Sequence, residues 1–141
     1  MEFNVKRFSE LTAGEIYEIL KARYDIFTVE KGMCCRDIDG LDYNALHCVL
    51  TDGNKLIGYL RAVPYDGCVR LGRVITLEHG RGYGRELIKK SVTTLRRDFG
   101  YTKITVHAQH DAVGFYQKCG FTQTSNAFME SGVVHYAMEL V

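Results

Sequence analysis

The chain has 141 residues, 46% of them hydrophobic and 25% charged, so it is long enough to bury its own core, and we predict a single domain over 1–141. The formal net charge is +1 with no block of basic residues, which argues against nucleic acid as a partner. No apolar stretch approaches the ~20 residues that cross a bilayer and the first residues do not form a signal peptide, so we expect no membrane contact.

The five cysteines indicate a reducing compartment. Their number is odd, and the only close pair, Cys34 and Cys35, is vicinal. This pattern fits neither a disulfide framework nor a Cys-x-x-Cys metal site. We therefore expect reduced thiols and a cytoplasmic protein.

The first half of the chain predicts a strand, a helix and an antiparallel meander. Phe3–Phe8 alternates apolar and polar residues like a strand. Thr12 and Glu15 form a capping box for a helix that runs to about Phe27. Short turns then separate three strands, predicted at Leu46–Leu50, Leu56–Val63 and Cys68–Leu77.

The second half alternates helices with strands. Apolar residues on one face predict a helix over Glu86–Phe99. The remaining elements are a strand, a short helix and a hairpin, predicted at Lys103–His107, Ala112–Lys118, and Phe121–Ser125 with Val133–Leu140. The order predicts an α+β fold with a mixed, mostly antiparallel sheet of about seven strands and helices on both faces.

A glycine-rich segment joins the third meander strand to the helix at Glu86. Its three alternate glycines let main-chain amides approach a ligand, and a helix N-terminus attracts anions. The segment therefore predicts a phosphate cradle, although a tight turn without a ligand is the alternative. It has neither the lysine of a P-loop nor the third glycine of a Rossmann fingerprint. The predicted binding residues are Gly80, Gly82 and Gly84, with Arg81 and Arg85 adding positive charge.

Two motifs resemble the GNAT superfamily of N-acetyltransferases. His79-Gly80-Arg81-Gly82-Tyr83-Gly84 is similar to that family's pyrophosphate-binding loop. Ala112-Val113-Gly114-Phe115-Tyr116-Gln117-Lys118-Cys119-Gly120-Phe121 resembles its late Ala-x-x-x-Tyr-x-x-x-Gly-Phe signature. With the element order, the likeness covers nearly the whole chain. Features similar to the ElaA-like branch are Asp39-Gly40, Asp42, His47 and Gly132-Val133-Val134-His135.

The resemblance implies a single GNAT-like domain that uses acetyl-CoA as co-substrate. It implies that Ile75 and Leu77 offer main-chain groups to the pantetheine arm, and that Tyr116 approaches the CoA sulfur. It also implies a splay between the strand ending at Leu77 and the strand at Lys103–His107. There a main-chain N–H near Ile75 would polarise the thioester carbonyl.

Direct acetyl transfer to an amine requires a base for the ammonium and a proton donor for the departing thiolate. Tyr116 suits the donor role, with a core aromatic as its alternative reading. His135 is the candidate base, with a hydrogen-bonded core histidine as its alternative. Because no cysteine lies in a recognisable nucleophile setting, we expect no acyl-enzyme. Further candidate bases are His107, His47 and Glu78.

Two arginines interrupt apolar faces and are candidates for substrate binding. Arg73 lies within the strand at Cys68–Leu77, and Arg23 lies on the stripe of the first helix. Each would bind a substrate carboxylate or phosphate, or else pair with an acidic residue of the protein. A cationic polyamine or a protein lysine is the alternative substrate, suggested by Asp37, Asp39 and Asp42, for which a solvated loop is the other reading. His107 is a further candidate for substrate binding.

The sequence thus predicts an N-acetyltransferase acting on a primary amine of a small metabolite. A non-catalytic acyl-CoA sensor, a protein or polyamine acetyltransferase and a plain interaction domain are the alternatives. We predict no metal, because His107 and His110 form a His-x-x-His pair without a third ligand. A homodimer is left open, as is the identity of the amine.

Overall fold

A mixed sheet carries the fold of residues 1–33 and 36–140, which the computed structural model describes. Its strands are β1 (Glu2–Arg7), β2 (Leu46–Asp52), β3 (Lys55–Tyr65), β4 (Cys68–Thr76), β5 (Ile104–Gln109), β6 (Thr122–Gln123), β7 (Phe128–Glu130) and β8 (Val133–Leu140). The strand order is β1-β2-β3-β4-β5-β8-β6, with β7 also paired to β8. The β4–β5 pair is parallel and the other pairs are antiparallel.

Three α-helices connect these strands: α1 (Ala13–Arg23), α2 (Tyr83–Phe99) and α3 (Val113–Lys118). The predicted α+β class and mostly antiparallel sheet are confirmed. The sheet has eight strands rather than about seven, because the predicted strand at Phe121–Ser125 is replaced by the shorter β6 and β7. Both of these pair with β8. Within the described residues, no helix is long and apolar enough to span a bilayer.

The first helix changes its winding before it ends. Its capping box forms as predicted, since Thr12 Oγ1 accepts from the Glu15 N–H and the Glu15 carboxylate accepts from the Thr12 N–H. The α-helix then stops at Arg23, and a π-helical segment continues over Tyr24–Glu30. Such segments are rare and frequently mark functional sites. Here it brings Phe27 to the wall of a large cavity.

The two faces of the sheet bury separate cores, as the prediction of helices on both faces requires. On one face α2 contributes Leu87 and Leu95 to a cluster that includes Leu60 of β3. On the other face α1 contributes Ile19 to a cluster that includes Tyr59, the neighbour of Leu60. Adjacent strand residues point to opposite faces, so the sheet is sandwiched between the two helices.

A bulge bends β4 and opens the centre of the sheet. Between Tyr59 and Arg61 β3 advances two residues, while β4 advances three. Arg73 at the bulge has φ 51, a conformation that costs a non-glycine residue roughly 1–2 kcal/mol. The parallel pairing of β4 with β5 ends at Leu71 and Val106, although both strands continue. The predicted splay between these strands is thereby confirmed.

Candidate active site

A cavity of about 590 Å³ lies where β4 and β5 separate. Its wall includes Leu71 and Val106, the last paired residues of the two strands, and side chains from both faces of the sheet. This volume is in the range of small-molecule sites. Four predicted site residues meet there: Arg73, His107, Tyr116 and His135.

The glycine loop forms an open helix N-terminus. Gly82 is the N-cap of α2 with φ +72, and Gly80 has φ +77. A Cβ built on either glycine would meet no atom of the described chain within 4 Å, so there is room for a ligand. No side chain caps the first amides of α2. These amides attract anions, and exposed Arg81 and Arg85 add positive charge, so the residues present fit a pyrophosphate.

The other residues of the loop have different surroundings. A Cβ on Gly84 would lie 3.4 Å from the Phe115 ring, so this glycine allows α2 to pack against α3. His79 is exposed, and Arg81 lies 3.6 Å from Glu78. The predicted contacts of His79, Arg81, Tyr83 and Arg85 with CoA stay predictions.

The predicted main-chain contacts of Ile75 and Leu77 with the pantetheine arm require a correction. The N–H of Leu77 donates to the carbonyl of Ile57 in β3 at 2.8 Å, so it cannot reach the pantetheine arm as predicted. The main-chain N–H and C=O groups of successive residues point to alternate sides of an antiparallel strand. The main-chain groups of Ile75, two residues before Leu77, therefore also face β3. The groups that face the gap therefore belong to Val74 and Thr76, and Val74 lines the cavity.

Tyr116 enters the cavity from α3. The residue is only 6% exposed, and its ring packs edge-on against the rings of Phe115 and Phe121. Burial raises the pKa of Tyr116 above its ordinary value. The phenol therefore stays protonated at neutral pH, as a proton donor must.

A carboxylate joins two histidines on the opposite wall. Glu130 lies 3.0 Å from His107 Nδ1 and 3.7 Å from His135 Nε2. The His107 hydrogen bond lowers the pKa of Glu130, so this group is an anion at neutral pH. His135 Nδ1 is 2.8 Å from the carbonyl of Val133, which can only accept. In neutral His135 the proton is thus on Nδ1, and Nε2 is left as the basic nitrogen.

The other candidate bases lie away from this cluster. His47 is buried between the Tyr59 hydroxyl at 2.7 Å and the carbonyl of Asp42 at 2.9 Å, and desolvation lowers its pKa. Glu78 is bound by Lys55 at 2.8 Å. Neither residue lines the cavity, which leaves His135 and its partners in position for proton transfer.

Comparison with known proteins identifies the family. Residues 29–141 match the model of the acetyltransferase (GNAT) domain. This chain belongs to the GNAT family of acyl-CoA N-acyltransferases. A UPF0039 protein from Schizosaccharomyces pombe is 34% identical over 145 residues, covering 99% of this chain and 97% of that protein.

Two crystal structures match the GNAT fold along its full length. An acyl-CoA N-acyltransferase from Pseudomonas aeruginosa has a TM-score of 0.92 and 26% identity, covering 100% of both chains. Escherichia coli ElaA has a TM-score of 0.91 and 28% identity, covering 99% of both chains. The predicted resemblance to the ElaA-like branch is confirmed.

Arg23 is a structural residue of this GNAT domain, and its predicted substrate role is wrong. Its side chain is fully buried, with Nη1 2.7 Å from Asp42 and Nε 3.2 Å from Asp37. Arg61 pairs with Asp39 at 2.6 Å and also with Asp42. The aspartates predicted to attract a polyamine are thus neutralised by arginines of the protein.

Arg73 lines the cavity but is partly engaged. Its Nε lies 2.8 Å from Asp37 and its Nη2 lies 3.4 Å from Asp39. Two carboxylates therefore offset its charge, which makes Arg73 a weaker anion site than the sequence predicted. His107 remains a candidate for substrate binding, with its Nδ1 bound to Glu130.

The described cysteines give no sign of an acyl-enzyme. Cys48, Cys68 and Cys119 are free, and none of them lines the cavity. Burial raises the pKa of Cys48 to about 12, so its thiol is a poor nucleophile at neutral pH. Cys34 and Cys35, also predicted to be reduced, lie outside the described residues.

The arginine–aspartate network predicts an acid-sensitive fold. The hydrogen bond from Arg61 lowers the pKa of Asp39. Burial alone would raise the pKa of Asp42, but the hydrogen bonds and charges of Arg23 and Arg61 outweigh burial, so the pKa of Asp42 is also lowered. A carboxylate whose pKa is lowered by folding stabilises the fold at pH values above its unfolded pKa of ~3.9. This stabilisation is lost as the pH falls toward the lower pKa of the folded state. We expect Asp42→Asn to cost about 3 kcal/mol of unfolding free energy at pH 7.

Urea denaturation from pH 7 to pH 3 measures this effect. The unfolding free energy of Asp42→Asn should fall less steeply with decreasing pH than that of wild type, because one carboxylate with a lowered pKa has been removed. Asp98→Asn is the matched control, since Asp98 pairs only with exposed Arg97 among the described residues. An acid dependence of Asp42→Asn equal to that of wild type would contradict the prediction.

Proposed function

We propose that this protein is an N-acetyltransferase that moves acetyl from acetyl-CoA directly to a primary amine of a small metabolite. The observation that carries the proposal is the cavity at the splay. It joins Tyr116 on one wall to the His135–Glu130–His107 cluster on the other, and the strand that forms its edge leads into the glycine loop. Donor and acceptor can therefore meet in the gap between β4 and β5.

The loop and the bulge would position the donor. When bound, acetyl-CoA supplies an activated thioester. The amides at the start of α2 would hold its pyrophosphate, with Arg81 and Arg85 beside them. Past the bulge, the Val74 N–H turns away from β3 and toward the gap, where it would donate to the thioester oxygen as negative charge develops.

The two walls of the cavity would then divide the proton transfers. His135 Nε2 accepts a proton from the amine, and the Glu130 carboxylate stabilises the imidazolium that results. The amine nitrogen forms a bond to the acetyl carbon, and the carbon–sulfur bond breaks. Tyr116 donates its phenolic proton to the departing thiolate, and the second proton that the nitrogen loses as the amide forms returns to the Tyr116 phenolate through water. Transfer needs no cysteine nucleophile.

The shape and charge of the site support a small acceptor. The cavity volume suits a metabolite-sized ligand, and the aspartates 37, 39 and 42 are paired with arginines instead of forming an anionic surface for a polyamine. The retained donor and base support an enzyme over a non-catalytic acyl-CoA sensor.

Calorimetric titration with acetyl-CoA, followed by a thiol-release assay, tests the proposal. The assay would use amino acids, polyamines, arylalkylamines and a lysine peptide, with mass spectrometry of the products. We expect acetyl-CoA binding, and one N-acetyl product for each thiol released with at least one small amine. Binding without transfer to any amine would instead indicate a sensor. If acetyl-CoA does not bind, the proposal fails.

A further inference from the structure

One arginine of the cavity lacks the carboxylate partners that the others have. Arg70 of β4 lines the cavity, and no carboxylate of the described residues lies within 4.0 Å of it. Its Nε is buried without a hydrogen-bond partner among these residues. A buried donor left unpaired is costly, and no described carboxylate offsets that cost at this guanidinium, so an anion bound by the Arg70 guanidinium would gain binding energy.

Arg70 is also held in place. Its guanidinium carbon lies 4.5 Å from the centre of the Tyr65 ring. The Tyr65 hydroxyl is 2.9 Å from Thr105 Oγ1 on the neighbouring β5, which fixes the ring that supports the guanidinium. A stacked guanidinium keeps its planar edge free for two parallel hydrogen bonds to an oxyanion.

The acids on the cavity wall do not meet this need. Asp39 is paired with Arg61 and Arg73, and Glu130 is bonded to His107. Asp111 is exposed at the start of the segment before α3. Arg70 is close enough to Glu130 for its positive charge to contribute to the lowered pKa of that group. The unpaired cation and the proposed base therefore share one cavity.

We propose that Arg70 binds an anionic group of the acceptor, a carboxylate or a phosphate, while the amine of the same molecule lies at His135. The proposal rests on the proposed function and names its substrate class: small amines that also carry an oxyanion. Sequence reasoning assigned this role to Arg23 and Arg73, both of which the structure pairs with aspartates.

The test measures selectivity between matched amines. Glycine, β-alanine and 4-aminobutanoate are each assayed beside the corresponding amide, and O-phosphoethanolamine is assayed beside ethanolamine. The chain length preferred reports the distance from Arg70 to the acetyl group, and the two anion types separate a carboxylate site from a phosphate site. Wild type should favour at least one anionic member by roughly tenfold or more in kcat/KM.

Three variants assign this selectivity to Arg70. Arg70→Gln should reduce the ratio to near one while leaving acetyl-CoA binding unchanged. Arg70→Lys should retain part of the ratio, because the charge remains but the planar fork is lost. Arg97→Gln removes an arginine exposed on α2 and should keep the wild-type ratio.

The outcomes separate this inference from the proposed function. If acetyl-CoA does not bind to wild type, the proposed function itself has failed. If transfer occurs with equal ratios in wild type and Arg70→Gln, or only to amines without an anion, Arg70 is a structural residue and the inference is overturned. If wild type transfers to no amine, titration of its CoA complex with 4-aminobutanoate and O-phosphoethanolamine decides, and absence of binding to both overturns it.

Discussion

Gly82→Asp is expected to abolish acetyl-CoA binding without unfolding the protein. Gly82 has φ +72, which aspartate tolerates better than most residues, and a Cβ there meets no described atom within 4 Å. Aspartate is also a favourable N-cap, so α2 should keep its start. Its carboxylate would then occupy the anion position and accept from the free amides. We expect the Kd for acetyl-CoA to rise by roughly two orders of magnitude.

Gly82→Asn is the matched control for this substitution. Asparagine has nearly the same size and the same tolerance of positive φ, but it carries no charge. Calorimetry should therefore show a much smaller loss of acetyl-CoA affinity, and thermal unfolding should give similar midpoints for both variants. Equal losses in the two variants would indicate that bulk, and not the anion position, explains the effect.

The parts of the site that the sequence predicted are local in the chain. The glycine loop and the segment around Tyr116 each lie within about ten consecutive residues, so the spacing of residue types is enough to identify them. The capping box at Thr12 forms for the same reason. Each of these features depends on near neighbours, which the order of residues fixes directly.

The errors concern features that depend on distant pairing. Arg23 was placed on an apolar stripe, but its partners Asp37 and Asp42 are 14 and 19 residues away. The bulge at Arg73 adds one residue to β4, so strict alternation no longer tells which main-chain groups face the gap. Leu77 was assigned from the family resemblance, which does not tell that its N–H bonds to Ile57 in β3.

Arg70 and Glu130 were missed because neither breaks a local pattern. Arg70 lies between the buried Val69 and Leu71, where alternation places a polar residue as a matter of course. Glu130 lies between the two strands of the predicted hairpin, Phe121–Ser125 and Val133–Leu140. Only the β4–β5 splay and the β7–β8 pairing bring them into one cavity. The sequence shows that both residues are charged, but only the fold shows that they lie together at the gap.

Tyr116→Phe is expected to lower kcat by about 100-fold or more with little change in the Kd for acetyl-CoA. The ring would keep its packing against Phe115 and Phe121, so only the proton for the thiolate is lost. Tyr101→Phe removes a hydroxyl from a tyrosine packed on the same core and outside the cavity, and it should have no such effect. Full activity of Tyr116→Phe would mean that water or another group protonates the thiolate.

The pH dependence distinguishes the proton donor from the base. His135→Gln removes the group that accepts the amine proton, so its loss of kcat/KM should shrink as pH approaches the amine pKa of ~10.4, where free amine is abundant. The loss in Tyr116→Phe should persist there, because the buried phenol of wild type keeps its proton at that pH and still donates it to the leaving sulfur. Since burial raises the pKa of Tyr116, wild type should show no fall in rate from its ionisation below pH ~10. Parallel pH profiles for the two variants would contradict the division of roles between the walls of the cavity.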